Sequence, residues 1–254
     1  MANQEHVKIL KQGVEVWNRW REENPDIRPD LTEADMRKGD FKKADFHRVN
    51  FTGASFEDSD LSEADFFMVT AIFAIFNNTD LSGSNLNHAN LQEAELDGAD
   101  LSGADLIFTN FNQSSLLDAS FNRAIFGWTS LGLLDFSRVT GLDSAIHEGP
   151  SILGIDSILK SKGEIPESFL RGCGLPEDLI KLIPSLIYQP FQFYSCFISY
   201  SSYDDDFTRR LHADLRANNV SVWFAPEDLK IGDRIRDRID HSIRIHDKLL
   251  LILT

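Results

Sequence analysis

The sequence predicts a parallel β-solenoid, entered through an amphipathic helix and followed by the first part of an α/β domain. Three observations in its 254 residues predict this: Phe or Leu returns every fifth residue from Leu31 to Phe136, an apolar stripe at helical spacing precedes Asp30, and apolar runs alternate with a helical pattern from Phe193 onward. Hydrophobic residues make up 42%, enough to bury a core and against wholesale disorder.

The lead-in, residues 1–30, places Val7, Leu10, Val14 and Trp17 at i, i+3, i+7 and i+10, with Trp20 continuing the stripe, before the breakers Pro25 and Pro29. We expect one helix over residues 3–23. Its Trp-bearing face should cover the apolar cross-section that a solenoid exposes at its first coil.

Residues 31–136 hold 22 fifth-residue positions: ten Leu, ten Phe, Met36 and Ala71. Two residues before most of them stands a small side chain, as in Ala34, Ala44, Ala54 and Ala64. A period of five fits neither the 3.6-residue helix nor the two-residue strand. The chain must therefore turn a corner in each unit and stack its coils at the strand spacing of ~4.8 Å.

The register ends at Phe136, and residues 137–190 mix Gly, Pro and short helical patterns such as Pro176 to Ile187, expected to be a second cap and linker. Gly172-Cys173-Gly174 has no strand before it and no third glycine, so it is no phosphate loop. From residue 191 the rhythm becomes α/β. A strand over Phe193 to Tyr200, a helix with the stripe Phe207, Leu211 and Leu215, a strand over Val220 to Ala225, a helix over Arg234 to His246 and a strand over Lys248 to Thr254 imply a parallel sheet with right-handed crossovers.

Composition excludes several classes. The formal charge of −15 opposes sequence-blind nucleic-acid binding. The solenoid carries −11 of it, and between Val49 and Asn122 there are twelve acids and no Lys or Arg. Cys173 and Cys196 form no Cys-x-x-Cys pair, and the seven histidines include no His-Glu-x-x-His, so neither a disulfide framework nor a metal site is indicated. The apolar run Leu249 to Leu253 is far too short to span a membrane, and we expect a cytoplasmic protein with no membrane partner.

The repeat resembles the pentapeptide-repeat family, A-(D/N)-L-x-x, as in Ala99-Asp100-Leu101 and Ala104-Asp105-Leu106. The resemblance implies a right-handed square β-helix with four units per coil, in which residues 20 apart stack. Asp40, Asp60, Asp80 and Asp100 would then form one column, and Asn50, Thr70, Asn90 and Asn110 another. We expect the Asn column to form a side-chain amide ladder. Short Asp and Asn side chains should also accept backbone N–H groups at the corners, which offsets the repulsion between stacked charges. Some members of this family imitate duplex DNA and occupy the DNA site of type II topoisomerases. Here the acids spread over several faces of a short rod, which makes a DNA mimic the weaker reading.

Phe197-Ile198-Ser199-Tyr200-Ser201-Ser202, Val222-Trp223-Phe224 and Asp228-Leu229-Lys230-Ile231-Gly232-Asp233 resemble, in order and spacing, the Toll/interleukin-1 receptor (TIR) domain. The resemblance covers 64 residues, three strands and two helices, of a flavodoxin-like fold that takes about twice as many. It implies a nucleotide-bordering or self-associating surface made by Ser201, Ser202 and Asp204 in the first loop, Trp223, and Pro226, Asp228 and Gly232 in the second. Each also has an ordinary role: Asp204 as helix cap, Gly232 as turn residue, Trp223 as core. In TIR domains that act as NAD+ glycohydrolases, the catalytic Glu lies in a Ser-x-x-x-Ser-x-Trp-x-x-x-Glu segment on the next helix. No such segment occurs here, and Glu227, the only Glu after Asp178, is not carried over to that role. We therefore expect no catalytic residue and no NAD+ hydrolysis by this stretch alone, with NAD+ a possible substrate and no cofactor. An apolar Leu249 to Leu253 edge is expected to favour self-association. The pairing of the two modules resembles bacterial, especially cyanobacterial, proteins. It implies a signalling protein whose solenoid binds an unidentified protein partner and whose TIR module self-associates, from a parent NAD+ hydrolase effector. The alternative is a pure scaffold.

Overall fold

A computed structural model describes residues 1–188, 195–200, 204–217, 221–224 and 248–252. The chain divides into two compact units, Met1–Ile187 and Tyr188–Thr254.

In the first unit every fifth-residue position from Leu31 to Phe136 is buried. The reason is visible in one repeat. Leu61 N–H donates to Asp80 O at 2.7 Å and Glu63 N–H to Ser82 O at 2.9 Å, both on the next coil. Ala64 N–H closes a turn onto Leu61 O at 3.1 Å, and Asp65 N–H reaches back to Ala44 O at 2.9 Å. The remaining donor, Ser62 N–H, bonds the Asp60 carboxylate at 2.9 Å. All five backbone donors are thus satisfied while one large and one small side chain point inward. The turn requires a left-handed residue at its third position. Positive φ accordingly recurs every five residues from Glu33 to Leu133, and only Gly53, Gly83, Gly98 and Gly103 among them are glycine. Each non-glycine corner costs about 1 kcal/mol of backbone strain, offset by the ladder bond its own N–H makes.

Parallel bridges join Asp40, Asp60, Asp80 and Asp100 in succession, so the coil is 20 residues, as expected. The corner role of Asp and Asn is general: Asp65 accepts from Phe67 N, Asn90 from Gln92 N and Asp105 from Ile107 N. The Ser62 hydroxyl and N–H hold the Asp60 carboxyl below the usual carboxylate range. The amide ladder reduces to one rung, Asn110 Nδ2 to Asn90 Oδ1 at 3.0 Å. Thr70 interrupts it, and its hydroxyl instead accepts from Arg28. Inside, Phe rings pack edge to face, as in Phe46–Phe51 and Phe51–Phe56, and Phe56 stacks parallel on Phe76 at 5.4 Å.

The lead-in is two helices where one was expected: α1 (Gln4–Leu10) and α2 (Val14–Glu23). They break at Gly13, whose φ of 111° no helix accommodates. The break turns Trp17 and Arg21 onto the first coil, where Trp17 is fully buried. Their polar atoms meet backbone groups that have no preceding coil to bond. Trp17 Nε1 donates to Asp45 O at 2.7 Å, Asn18 bonds both Lys43 O and Asp45 N, and Arg21 donates to His47 O.

Pairing continues past Phe136. β1 (Ile125–Phe126) pairs with β3 (Ile146–His147), and β2 (Ser130–Leu131) with β4 (Ile152–Leu153). The offset grows from 20 at Ser120↔Thr140 to 21 at Ile125↔Ile146 and 22 at Ser130↔Ile152. Helix α3 (Ile155–Lys160) and the residue after it then supply the next acceptors: Ser157 Oγ takes Leu134 N–H, Ser161 Oγ takes Phe136 N–H, and Asp156 takes Leu133 N–H. Helices α4 (Glu167–Gly172) and α5 (Glu177–Tyr188) follow.

The second unit is a parallel sheet with order β6-β5-β7, where β5 is Ser195–Tyr200, β6 Ser221–Phe224 and β7 Lys248–Ile252. Helix α6 (Asp205–Ala217) joins β5 to β6. Its buried face is Thr208 and His212, with Leu211 and Leu215 half-buried and Phe207 53% exposed, which corrects the expected stripe of Phe207, Leu211 and Leu215. Thr208 can be buried because its hydroxyl donates to Asp204 O at 2.8 Å within the helix's first turn. The helix expected over Arg234 to His246 lies outside the described residues.

Candidate functional site

The chirality of parallel sheets fixes where a ligand can bind. In an open α/β sheet the crevice forms outside the carboxyl ends of the strands, where the strand order reverses. With order β6-β5-β7 the chain goes to one side of β5 for its second strand and to the other for its third, so the reversal falls between β5 and β7. Their registered pair Tyr200↔Ile252 marks the carboxyl edge of that junction.

Asp204 follows this edge directly. It is half-buried and stands immediately before α6, the position a capping carboxylate takes. Trp223 lies on β6, registered opposite Phe197 of β5. Ser201, Ser202, Pro226, Asp228 and Gly232 lie outside the described residues; in the chain they follow the carboxyl ends of β5 and β6. Beneath the edge, Ile198 and Phe224 are buried against each other with Leu215 and Val222 packed on them. His212, 4% exposed, lies 4.9 Å from the Phe224 ring, and the Arg209 guanidinium sits over the same ring. Arg209 also pairs with Asp205 at 2.7 Å. In the sequence His212 is one of seven scattered histidines, and its spacing of four from Thr208, which places both on one face of α6, is the feature that marks it as inward.

One cluster and one thiol in the solenoid unit invite chemistry, and both are explained by packing. Asp45, His47 and Asp65 bring ligand atoms within 4.8 Å of one another. Arg21, 1% exposed, occupies that corner: its Nη2 lies 3.0 Å from His47 Nδ1 and its Nε 3.7 Å from Asp45. A metal would have to displace a buried cation whose own pKa is lowered by desolvation and raised by Asp45. Cys173 is buried, and burial pushes its thiol up to about 12, so it stays protonated and unreactive. Among the described residues no helix is long and apolar enough to cross a membrane.

The fold defines a repeat solenoid joined to an α/β module with a parallel sheet of order β6-β5-β7. Residues 30–66, 69–103 and 99–138 match the family model of pentapeptide repeats, in eight copies, and residues 196–254 that of the TIR domain. The chain carries pentapeptide repeats and a TIR domain. It is 43% identical over 56 residues, 22% of this chain and 20% of the relative, to the 2' cyclic ADP-D-ribose synthase BtTIR of Bacteroides thetaiotaomicron. It is 42% identical over 52 residues, 20% of this chain and 19% of the relative, to the 2' cyclic ADP-D-ribose synthase AbTIR of Acinetobacter baumannii. The chain spans about a fifth of the length of these curated relatives, both bacterial. Among solved structures, a pentapeptide repeat protein of the Arabidopsis thaliana thylakoid lumen is 28% identical with a TM-score of 0.37, covering 37% of this chain and 66% of that one. Rfr23 of the cyanobacterium Cyanothece is 21% identical with a TM-score of 0.31, covering 54% and 97%.

Proposed function

We propose that this is a bacterial signalling protein in which a pentapeptide-repeat scaffold is joined to a TIR module that takes NAD+ as its substrate. The observation that carries the reading is the β6-β5-β7 order, whose reversal lies at the end of β5, where Asp204 and the chain segment bearing Ser201 and Ser202 follow. The identity to 2' cyclic ADP-D-ribose synthases over about a fifth of the chain supports it. Cleavage of the nicotinamide–ribose bond releases nicotinamide as the leaving group and develops positive charge on the ribose, and a 2' hydroxyl of the same molecule or a water closes the reaction. Polar groups at the strand ends would orient the dinucleotide for that step.

In this reading residues 1–30 cap the solenoid through α1 and α2, residues 31–136 form a right-handed rod, 137–190 cap its other end and link it onward, and 191–254 belong to the TIR module. Trp17, Asn18 and Arg21 support the first assignment by bonding the open backbone of the first coil. TIR-to-TIR association transmits the signal, a protein partner binds the rod, and the protein works in the cytoplasm, where NAD+ is held. A DNA-mimic role is disfavoured because the acids are distributed around the coil, as Asp58, Asp60, Asp65 and Glu93 fall at four different positions of its 20-residue turn.

The test is incubation of a protein containing these residues with NAD+, with nicotinamide and cyclised or linear ADP-ribose resolved by chromatography. Nicotinamide release that falls about tenfold or more in Asp204→Ala supports the reading. NAD+ that stays intact over a folded, concentrated sample leaves the scaffold role alone standing.

A further inference from the structure

One of the four corners of the rod differs from the others. Residues 68, 88, 108 and 128, one per coil, are Met68, His88, Phe108 and Trp128, and they form a continuous column on the outside. Met68, Phe108 and Trp128 are 48%, 45% and 47% exposed. His88 stacks on Phe108 at 4.5 Å with planes 9° apart, and Phe108 on Trp128 at 5.1 Å and 12°. Gly149 closes the stack, since a Cβ there would lie 2.7 Å from the Trp128 ring.

These rings occupy left-handed positions, φ 57° at Phe108 and 51° at Trp128. Such positions suit Gly, Asn and Asp and are strained for bulky side chains. The rod's other corners carry mostly Gly, Asn, Asp or charged residues, such as Gly83, Gly98, Gly103, Asp58 and Asn78; Phe73 and Leu133 also stand at left-handed corners, but no other corner stacks rings on successive coils among the described residues. Stacking covers the ring faces and leaves the edges to solvent, so the column contributes little to the core while presenting an apolar ridge.

We propose that this ridge docks a basic amphipathic helix of another protein. The geometry sets the helix. The rungs repeat at the coil spacing of ~4.8 Å, close to the ~5.4 Å pitch of a helix, whereas a strand repeats its face only every ~6.8 Å. A helix lying along the rod therefore meets about one rung per turn. Charge sets its sign. The rungs at 68, 88 and 108 lie within the stretch from Val49 to Asn122 that has twelve acids and no Lys or Arg. Among the described residues, only Glu63 and Asp118 of these acids are in ion pairs, with Lys42, Lys43 and Arg138 from outside the stretch. Asp65 and Asp105, three residues before Met68 and Phe108, are among the acids with no ion-pair partner among the described residues, and their charge is open to a partner's Lys and Arg. A second copy of this acidic rod, a nucleic acid and an anionic membrane all carry the wrong sign.

The inference rests on the scaffold half of the proposed function and is independent of the TIR chemistry. The test uses the full chain and a fluorescently labelled synthetic peptide of about 18 residues, Leu at one position per helical turn and Lys elsewhere. Expected is saturable binding that weakens about tenfold or more in the Phe108→Asn, Trp128→Asn double variant, and on raising salt from about 0.1 M to about 0.5 M. Asn suits left-handed corners, so the variant keeps its fold, checked by circular dichroism. Equal binding to the double variant, or equal binding of a Leu/Glu peptide of the same pattern, overturns the proposal. So does a dimer of the free chain that the double variant dissociates, which would give the ridge to a second copy. Nicotinamide release, assayed separately on a protein that contains these residues, reads the other half: its absence would leave the ridge intact, and loss of peptide binding would leave the TIR reading intact.

Discussion

Replacing Trp17 by Ala removes the largest side chain between the lead-in helices and the first coil. Trp17 is fully buried, its ring centroid lies 5.3 Å from that of Trp20 and 5.9 Å from that of Phe46, and its Nε1 donates to Asp45 O at 2.7 Å. The cavity and lost transfer energy of a buried Trp→Ala change cost about 3–5 kcal/mol. Trp17→Phe keeps most of the apolar contact and removes only the donor, leaving the Asp45 carbonyl unmet at about 1–3 kcal/mol. The rod is quasi-one-dimensional, each coil touching only its neighbours. Damage should therefore stay local: amide exchange should accelerate in the coil from Asp30 to Asn50 and remain slow around Leu101 and Leu106. Urea unfolding followed by circular dichroism gives the magnitude, and hydrogen exchange gives the location. Trp17→Ala within about 0.5 kcal/mol of the parent, with unchanged exchange, would mean the first coil closes without the helices.

Two further outcomes follow from the same structure. Among the described residues neither ring nitrogen of His147 has a hydrogen-bond partner, and burial pushes its pKa below the ordinary value, so between that depressed pKa and about 6.5 the unfolded chain takes up a proton that the folded chain does not. Stability should be full above about pH 6.5 and fall as the pH drops through this window, and His147→Leu, compared with the parent in urea titrations at several pH values, should show a flatter profile. Gly103 sits at a left-handed corner with open space around it, so Gly103→Ala should lower stability by about 1 kcal/mol through backbone strain alone, read as a shift in the unfolding midpoint at constant m-value.

Much of the rod was legible because its inward positions obey a single rule: one large apolar side chain per turn of the chain has nowhere to go but the interior, and each is buried. The corners were not legible. Lys38, Phe73, Trp128 and Leu133 adopt the left-handed region against their local preference, because the ladder bonds of two neighbouring coils fix the turn before the side chain is chosen. The lead-in misled for a related reason: the stripe from Val7 to Trp20 keeps helical spacing across Gly13, yet the backbone turns there. In the TIR module Asp204 was legible as a helix-start residue. The burial of His212 was not, since an aromatic contact with Phe224 depends on a strand that pairs elsewhere in the chain.

The closed hydrogen bonding of each five-residue repeat means that the rod's interior and its surface keep different calendars. Inserting or deleting one repeat would leave every inward residue inward and every donor matched. It would also rotate all later coils by a quarter turn relative to earlier ones, splitting the ridge of Met68, His88, Phe108 and Trp128 across two corners. Only whole multiples of 20 residues preserve both. Folding thus tolerates any change in length that counts in fives, while whatever recognises the outside of the rod holds it to twenties.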